Sequence, residues 1–311
     1  MDVSLSQSAT CGEKSLGAPR VTRTNDNDLA TSSDPKFLLI LGGTGKLARL
    51  MRATKQQDNS LLPNWLPIWA GRKPDDGVDF TFTEATTEFP RADAVLALWG
   101  VIPGGGDLSQ NARLAKRAVD VAIACGADKL IHCSSSAVYG PGQMLSETSS
   151  LLPSNAYGEA KVAMEEVALQ SLGANEISPK SSILRLSNVV GADSLFGSIE
   201  RGGQLALDRF ADGESPKRSY VTPRIVWTAV EAVLNEQSTP NVLNVAASAP
   251  VAMHNLLEAA NHPFDWVDAP ESAIAEVSLD VSELQRLTPT DLRVTATQMI
   301  EEWRAVRKAL A

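Results

Sequence analysis

Between Phe37 and Ala53 the chain passes from an apolar stretch through a glycine turn into a helix. That junction restricts the folds open to it. Phe37-Leu38-Leu39-Ile40-Leu41 is apolar throughout, as a strand buried on both faces requires. Gly42-Gly43-Thr44-Gly45-Lys46-Leu47-Ala48 follows at once, and Arg49-Leu50-Met51-Arg52-Ala53 reads as helix. Gly42 and Gly45 allow a tight turn and a close backbone approach to a pyrophosphate. Ala48 allows the helix to pack closely on the sheet, with its N-terminus facing the phosphates. A nucleoside-triphosphate loop fails on spacing: Ile40 stands where its first Gly belongs, and Leu47 where a magnesium-binding Ser or Thr belongs. A merely tight strand–helix turn is the plainer alternative.

Further along, Tyr157 and Lys161 stand four residues apart, on one face of a helix. A phenol beside an ammonium ionises more easily, because the positive charge favours the phenolate. Such a phenol exchanges a proton with an alcohol or carbonyl near neutral pH. Ser134-Ser135-Ser136, at the end of an apolar run, offers a hydroxyl for the same substrate oxygen. Surface helices carry a Tyr-x-x-x-Lys by chance, and serines also cap strand ends. The pair draws its meaning from the glycine turn.

Taken in order, these motifs resemble the extended short-chain dehydrogenase/reductases, the NAD-dependent epimerase/dehydratase family, from Phe37 to the C-terminus. Ala94-Val95-Leu96-Ala97-Leu98-Trp99-Gly100 resembles the family's fourth strand, and Lys129-Leu130-Ile131-His132-Cys133-Ser134-Ser135 its fifth. Asn111 opens a helix to Cys125, and Glu147 and Pro153 precede the Tyr as in the family. Ile183 to Gly191 resembles the sixth strand and its loop; Arg218 to Val221 and Val242 to Val245 are looser matches. The resemblance implies an α/β fold, a Rossmann-type doubly wound parallel sheet with a small C-terminal substrate lobe. It implies Tyr157 as general acid/base, Lys161 lowering the Tyr pKa and bonding the nicotinamide ribose, and Ser135 holding the reacting oxygen. Ser135 is chosen by the family's offset of four before Tyr139, and Asn111 orders water or fixes the neighbouring helix. Cofactor contacts are expected from Gly42, Gly43, Thr44, Gly45, Lys46, Leu47, Leu98, Trp99, Gly100, Tyr157 and Lys161. Ser135, Ser136, Asn188 and Arg218 are expected at the substrate.

Departures from the pattern carry information too. Leu66-Pro67-Ile68-Trp69-Ala70, the expected second strand, is followed by Gly71-Arg72-Lys73, with no acid for the adenosine ribose. Arg72 suits a 2′-phosphate, so NADP is favoured over NAD, although the two cations would also solvate a loop. Ser136-Ala137 replaces the Asp-Glu pair of nucleotide-sugar 4,6-dehydratases, which argues against elimination. Thr222-Pro223-Arg224 lacks the acid the family often carries there, and that weakens a sugar-nucleotide assignment. The expectation is an NAD(P)-dependent oxidoreductase or epimerase acting by hydride transfer, on a sugar or nucleotide-sugar. An NADPH-dependent carbonyl reductase of a non-sugar substrate and a non-catalytic NADP-binding sensor are the alternatives.

The 311 residues suffice for a doubly wound core and a small lobe. A net charge of −9 argues against nucleic acid as partner and leaves a small-molecule substrate. Cys11, Cys125 and Cys133 have no metal or disulfide spacing, which fits a reducing compartment. His132, His254 and His262 are scattered, so no metal is expected; His132 reads as packed and hydrogen-bonded in a strand. Residues 1–35 read as a disordered leader without a secretory pattern. No apolar run reaches membrane-spanning length, so a cytoplasmic location is expected. Residues 36–190 should form the dinucleotide-binding core, and 191–311 the lobe interleaved with late core elements and a terminal helix. Sheet-packing helices are expected over Asp107–Gly126 and Tyr157–Leu172, the second with Val162, Met164, Val167 and Leu169 as apolar positions. The family commonly dimerises through such helices. A last amphipathic helix is expected over Thr290–Ala311, through Met299, Ile300, Trp303 and Val306.

Overall fold

A computed structural model describes residues 35–171, 179–238 and 240–310. The expected leader, apart from Pro35, and Cys11 lie outside the described residues, as do Leu172 and Ala311 at the ends of two expected helices. The first half runs β1 (Lys36–Leu41), α1 (Lys46–Gln57), β2 (Trp65–Gly71), β3 (Phe80–Thr81), β4 (Ala94–Ala97), α2 (Gln110–Cys125), β5 (Lys129–Ser135), β6 (Gly142–Leu145) and α3 (Ala156–Gln170). Then come β7 (Lys180–Leu186), β8 (Asn188–Val189), α4 (Ser194–Arg201), β9 (Leu205–Arg209), β10 (Lys217–Arg218), β11 (Tyr220–Val221) and α5 (Pro223–Asn235). The chain closes with β12 (Val242–Val245), β13 (Val251–Ala252), α6 (Met253–Ala260), β14 (Phe264–Asp268), β15 (Glu276–Leu279), α7 (Ser282–Leu287) and α8 (Ala296–Leu310).

Seven strands form the main sheet in the order β12-β7-β5-β4-β1-β2-β3, and every pairing in it is parallel. This is the Rossmann-type doubly wound arrangement, and the order reverses between β1 and β4. Side-chain alternation explains why β1 is apolar throughout. Leu38 and Ile40 join one core with Met51 of α1 and Val226, Trp227 and Val230 of α5. Leu39 and Leu41 join the other, with Ala118, Val121 and Ala122 of α2. Small residues on α2 let it lie close to the sheet, and Gly126, with φ 69°, ends it in a left-handed cap.

The second half interleaves with the first. β12 pairs with β7 at the sheet edge, as expected for Val242–Val245. The Trp227 indole N–H donates to the Met51 carbonyl at 2.8 Å, tying α5 to α1. A smaller four-stranded sheet, β13-β10-β15-β6, and a parallel ribbon of β9 with β14 lie outside the main sheet.

Three expectations about elements need correction. β4 ends at Ala97, so Leu98, Trp99 and Gly100 form a loop, and Leu98 N–H still reaches the Leu41 carbonyl at 3.0 Å. The terminal helix begins at Ala296, six residues after Thr290, and buries Met299, Ile300, Trp303 and Val306. Of the apolar positions expected on helix α3, only Met164 is buried. Leu169 is exposed and Val162 and Val167 are half-buried, while Gly158, Lys161, Met164, Glu165 and Ala168 are buried. Its inward stripe carries two charged residues, Lys161 and Glu165, and that points to the site.

Candidate active site

The chemistry-bearing residues follow the carboxyl ends of the parallel strands, where ligands bind in this architecture. Gly42 leaves β1 with φ +90°, and a Cβ there would lie 2.8 Å from the Trp99 backbone nitrogen. Gly42 and Gly43 N–H groups both donate to the Ala70 carbonyl, at 3.0 and 2.8 Å, so the turn is stitched to β2. Gly45 is the N-cap of α1 and brings no capping side chain, which leaves the first-turn N–H groups of Lys46 and Leu47 for a ligand. A dinucleotide pyrophosphate fits this cradle. Gly42→Ala would put a Cβ against the backbone of the Trp99 loop in a conformation L-residues avoid. Dinucleotide affinity, followed by fluorescence titration, should fall by about 100-fold or more, a loss of roughly 3 kcal/mol.

Around this turn the expected contacts divide. Thr44 is half-buried and its methyl lies near Gly71, where a Cβ would stand 3.2 Å away. Lys46 is exposed and forms an ion pair with Glu200 of α4 at 3.1 Å. Arg72 and Lys73 are exposed just after β2. The neighbouring cations are engaged: Arg49 pairs with Asp75 at 2.7 Å, and Arg52 holds the Gly43 carbonyl at 2.9 Å.

Ser135 closes β5, and its hydroxyl accepts the Ala137 N–H at 3.2 Å, capping the short helical turn Ser136–Val138. Asn155 caps α3, its side chain accepting the Gly158 N–H at 3.0 Å, so Tyr157 and Lys161 start from a fixed first turn. Gly158 packs under Ala137, where a Cβ would meet the carbonyl oxygen at 2.3 Å. That close approach brings Tyr157 to the Ser135 turn. Burial pushes the Tyr157 phenol above its ordinary range, and the Ser135 side chain pulls it back.

Lys161 is 5% exposed; its ammonium donates to the Cys133 carbonyl at 3.0 Å and stands 5.8 Å from the Tyr157 ring centroid. Burial pushes Lys161 down, and Cys133 and Glu165 draw it back up. Desolvation disfavours both charged forms here, and the group that lowers the phenol is Ser135. Asn111 is buried at the start of α2. It accepts the Val101 N–H and donates to the Val101 carbonyl, both at 3.0 Å, and so fixes the loop after β4. A Cβ on Gly100 would stand 3.1 Å from Asn111 Oδ1 and 3.3 Å from Lys161 Nζ, so these three share one corner.

Asn188, expected at the substrate, opens β8 in register with the buried Tyr220 of β11. Arg218 is turned to backbone: its guanidinium donates to the Lys217 and Ile274 carbonyls at 2.7 and 3.0 Å. Thr222, in place of an acid, caps α5 by accepting the Ile225 N–H.

His132 is buried as expected, but its Nε2 has no hydrogen-bond partner among the described residues. Burial, with Lys161 adding to it, holds the imidazole down at about 4. The unfolded chain then binds a proton that the folded chain refuses between about pH 6.5 and 4, so stability falls as pH drops through that window. The loss is roughly 3 kcal/mol. Denaturant midpoints across this range should be flatter in His132→Leu than in the parent. The difference isolates His132 from Asp193, which burial pushes up to about 6 and which titrates with the opposite sign.

The residues that sequence reasoning missed are Ser134, Glu165, Arg185, Tyr139 and Asn244. Glu165 and Arg185 form a buried ion pair at 2.7 Å, their side chains 2% and 4% exposed. Ser134 donates to Glu165 Oε1 at 2.5 Å; Arg185 Nη1 donates to the Tyr139 hydroxyl at 2.8 Å, and that hydroxyl to Asn244 Oδ1 at 2.7 Å. A signal was present: Glu165 continues the spacing of four that links Tyr157 to Lys161. Among the described residues no cluster of His, Cys, Asp or Glu could hold a metal, and no helix is long and apolar enough to cross a membrane.

The model of the NAD dependent epimerase/dehydratase family matches residues 79–246, and the chain belongs to that family. No curated protein sequence matches it. Among solved structures it is similar to MoeE5 in complex with UDP-glucuronic acid and NAD, at 17% identity and a TM-score of 0.68, covering 88% of this chain and 99% of that one. The UDP-N-acetylglucosamine 4-epimerase from Bacillus cereus has 18% identity and a TM-score of 0.67, with 88% and 99% covered. The dTDP-glucose 4,6-dehydratase from Bacillus anthracis, in complex with NAD, has 13% identity and a TM-score of 0.66, with 88% and 97% covered. At these identities the likeness is one of fold.

Proposed function

We propose that this protein is an NAD(P)-dependent enzyme that interconverts a hydroxyl and a carbonyl carbon of a small molecule, a sugar or nucleotide-sugar before a simple ketone. The observation that carries the reading is the joint placement of Ser135, Tyr157 and Lys161 beside the glycine cradle. A bound dinucleotide supplies the hydride acceptor or donor. Tyr157 takes or returns the proton at its hydroxyl, Ser135 holds the substrate oxygen, and Lys161 binds ribose hydroxyls. Asn111 keeps the Gly100 loop and the Lys161 corner in register. Gly42, Gly43, Gly45, Lys46 and Leu47 hold the pyrophosphate; Leu98 and Trp99 wall the cofactor; Asn188 and Ser136 face the substrate, with Arg218 near them but bonded to backbone carbonyls. Residues 36–190 and 191–311 serve as the cofactor and substrate parts.

The absence of an Asp-Glu pair at Ser136-Ala137 favours epimerisation or reduction over elimination. The solved relatives complexed with UDP-glucuronic acid and named for UDP-N-acetylglucosamine support a nucleotide-sugar. A carbonyl reductase of a non-sugar substrate is the second reading, favoured by Arg218 being engaged with backbone carbonyls. Purified protein, denatured without added nucleotide, tests the choice. Stoichiometric release of dinucleotide supports an epimerase, which regenerates its cofactor in each cycle. Empty protein that binds NADPH reversibly supports a reductase, and neither bound nor binding dinucleotide overturns the reading. NADP is preferred because Arg72 is an exposed guanidinium with no acid at the end of β2. Arg72→Ala should weaken NADPH about tenfold and leave NADH unchanged, as loss of one charge-assisted contact requires.

A further inference from the structure

Tyr157, Lys161 and Glu165 lie on one face of α3, and only the first two have a role so far. Glu165 is 1% exposed, deep between α3 and the sheet. Its Oε1 accepts the Ser134 hydroxyl at 2.5 Å and Arg185 Nε at 3.1 Å; its Oε2 accepts Arg185 Nη2 at 2.7 Å. Ser134 immediately precedes Ser135 at the end of β5, and Arg185 stands at the end of the neighbouring strand β7. One carboxylate thus joins the helix carrying Tyr157 and Lys161 to the two strand ends that border the site. Arg185 extends the link outward through Nη1, to the Tyr139 hydroxyl and to the Glu147 carbonyl at 3.1 Å. Asn244 joins from β12: its N–H donates to Glu147 Oε1 at 2.8 Å, and its amide donates to the Leu145 and Asp280 carbonyls at 2.8 and 3.0 Å. The network therefore ties the catalytic helix to segments of the second sheet.

We infer that Glu165 is a positioning residue for the proposed reaction: it locks the Tyr157–Lys161 face of α3 to the ends of β5 and β7, and it places a carboxylate one helical turn from the Lys161 ammonium. The inference rests on the dinucleotide reading above. Its second half follows from what surrounds the Lys161 ammonium. His132 and Cys133 of β5 and Tyr157 of α3 all face it as neutral groups, and Arg185 of β7 is spent on Glu165. Cys133 and Glu165 both draw Lys161 upward against its burial, but the Cys133 thiol is pushed up to about 12 and stays neutral below that, so Glu165 supplies the negative charge. An ammonium makes stronger hydrogen bonds to ribose hydroxyls than an amine does, and it adds attraction for an anionic cofactor.

The test needs no identified substrate. Glu165→Gln alone would strand the Arg185 guanidinium in the interior, so the charge is removed together with its partner, as Glu165→Gln/Arg185→Met. Ser134→Ala is the companion: it loosens the same contact and leaves both charges in place. NADH and NADPH dissociation constants are measured by fluorescence from pH 6 to 10 on parent and both variants, with folding checked by circular dichroism at each pH. The parent should hold its affinity to high pH, and the double variant should lose it at a midpoint about one unit lower. Ser134→Ala should follow the parent. A folded double variant with the parent's profile overturns the role of Glu165, and so do equal shifts in both variants, which would make the effect one of packing. Those outcomes leave the cofactor reading standing, whereas a parent that binds neither dinucleotide overturns both.

Discussion

Tyr157→Phe should turn over at least 100-fold more slowly than the parent, within the roughly 10²–10⁴-fold range of a lost proton-transfer group. The ring contributes packing, and Phe retains it; only the hydroxyl beside Ser135 is removed. Dinucleotide binding should change little, because the glycine cradle and Lys161 remain. Steady-state rates against a panel of nucleotide-sugars and simple ketones, beside a cofactor titration, measure both. Near-normal turnover with any substrate the parent accepts would remove Tyr157 from the chemistry. Burial raises the phenol, so the parent's rate should still climb above neutral pH in the oxidative direction, where the phenolate is the base. Tyr157→Phe should lose that climb.

Arg185→Met should be the most destabilising single change at this site. It leaves Glu165 charged, buried and short of three guanidinium contacts. Breaking one side of a buried pair costs about 3–5 kcal/mol. For a chain of this size that corresponds to a melting temperature lower by on the order of 10 °C. The double variant Glu165→Gln/Arg185→Met should recover most of the loss, since two neutral side chains of similar volume need no partner charge. Thermal melts of parent, single and double variants give the comparison. A single variant within about 2 °C of the parent would show that the pair carries little of the fold.

The fold was legible because its signals are local. An apolar β1, a glycine turn and an Ala-rich α2 each state their packing through residue type and spacing, and β5 and β12 fall where the pattern placed them. The strand end at Ala97 was less so, since Leu98 and Trp99 are as apolar as the strand itself. Tyr157 and Lys161 are singled out by the helix period, whereas the serine run leaves three hydroxyls and only the family's offset before Tyr139 chooses Ser135. The inward face of α3 could not be read by hydrophobicity alone, because it includes Lys161 and Glu165 beside Met164 and Ala168, and the partners of those two charged residues lie 28 and 20 residues away in sequence. Burial of charged side chains is decided by such distant partners. That His132 Nε2 finds no partner among the described residues is invisible in the sequence for the same reason. The upward push on Tyr157 likewise depends on how deeply the helix is set, which spacing does not encode.

The bond from the Trp227 indole to the Met51 carbonyl bears on how far the chain could be taken apart. Trp227 also meets the Trp69 ring edge-on, with centroids 6.1 Å apart, so one late side chain seals both α1 and β2. A gene fragment stopping after Val190 would encode the glycine cradle, the Ser-Tyr-Lys set and six of the seven main-sheet strands, yet leave that whole flank of the sheet wet. Grafting the cofactor half onto another substrate lobe would therefore require carrying α5 and β12 with it. The transplantable module is discontinuous in sequence, and swaps designed at a single crossover should yield insoluble protein.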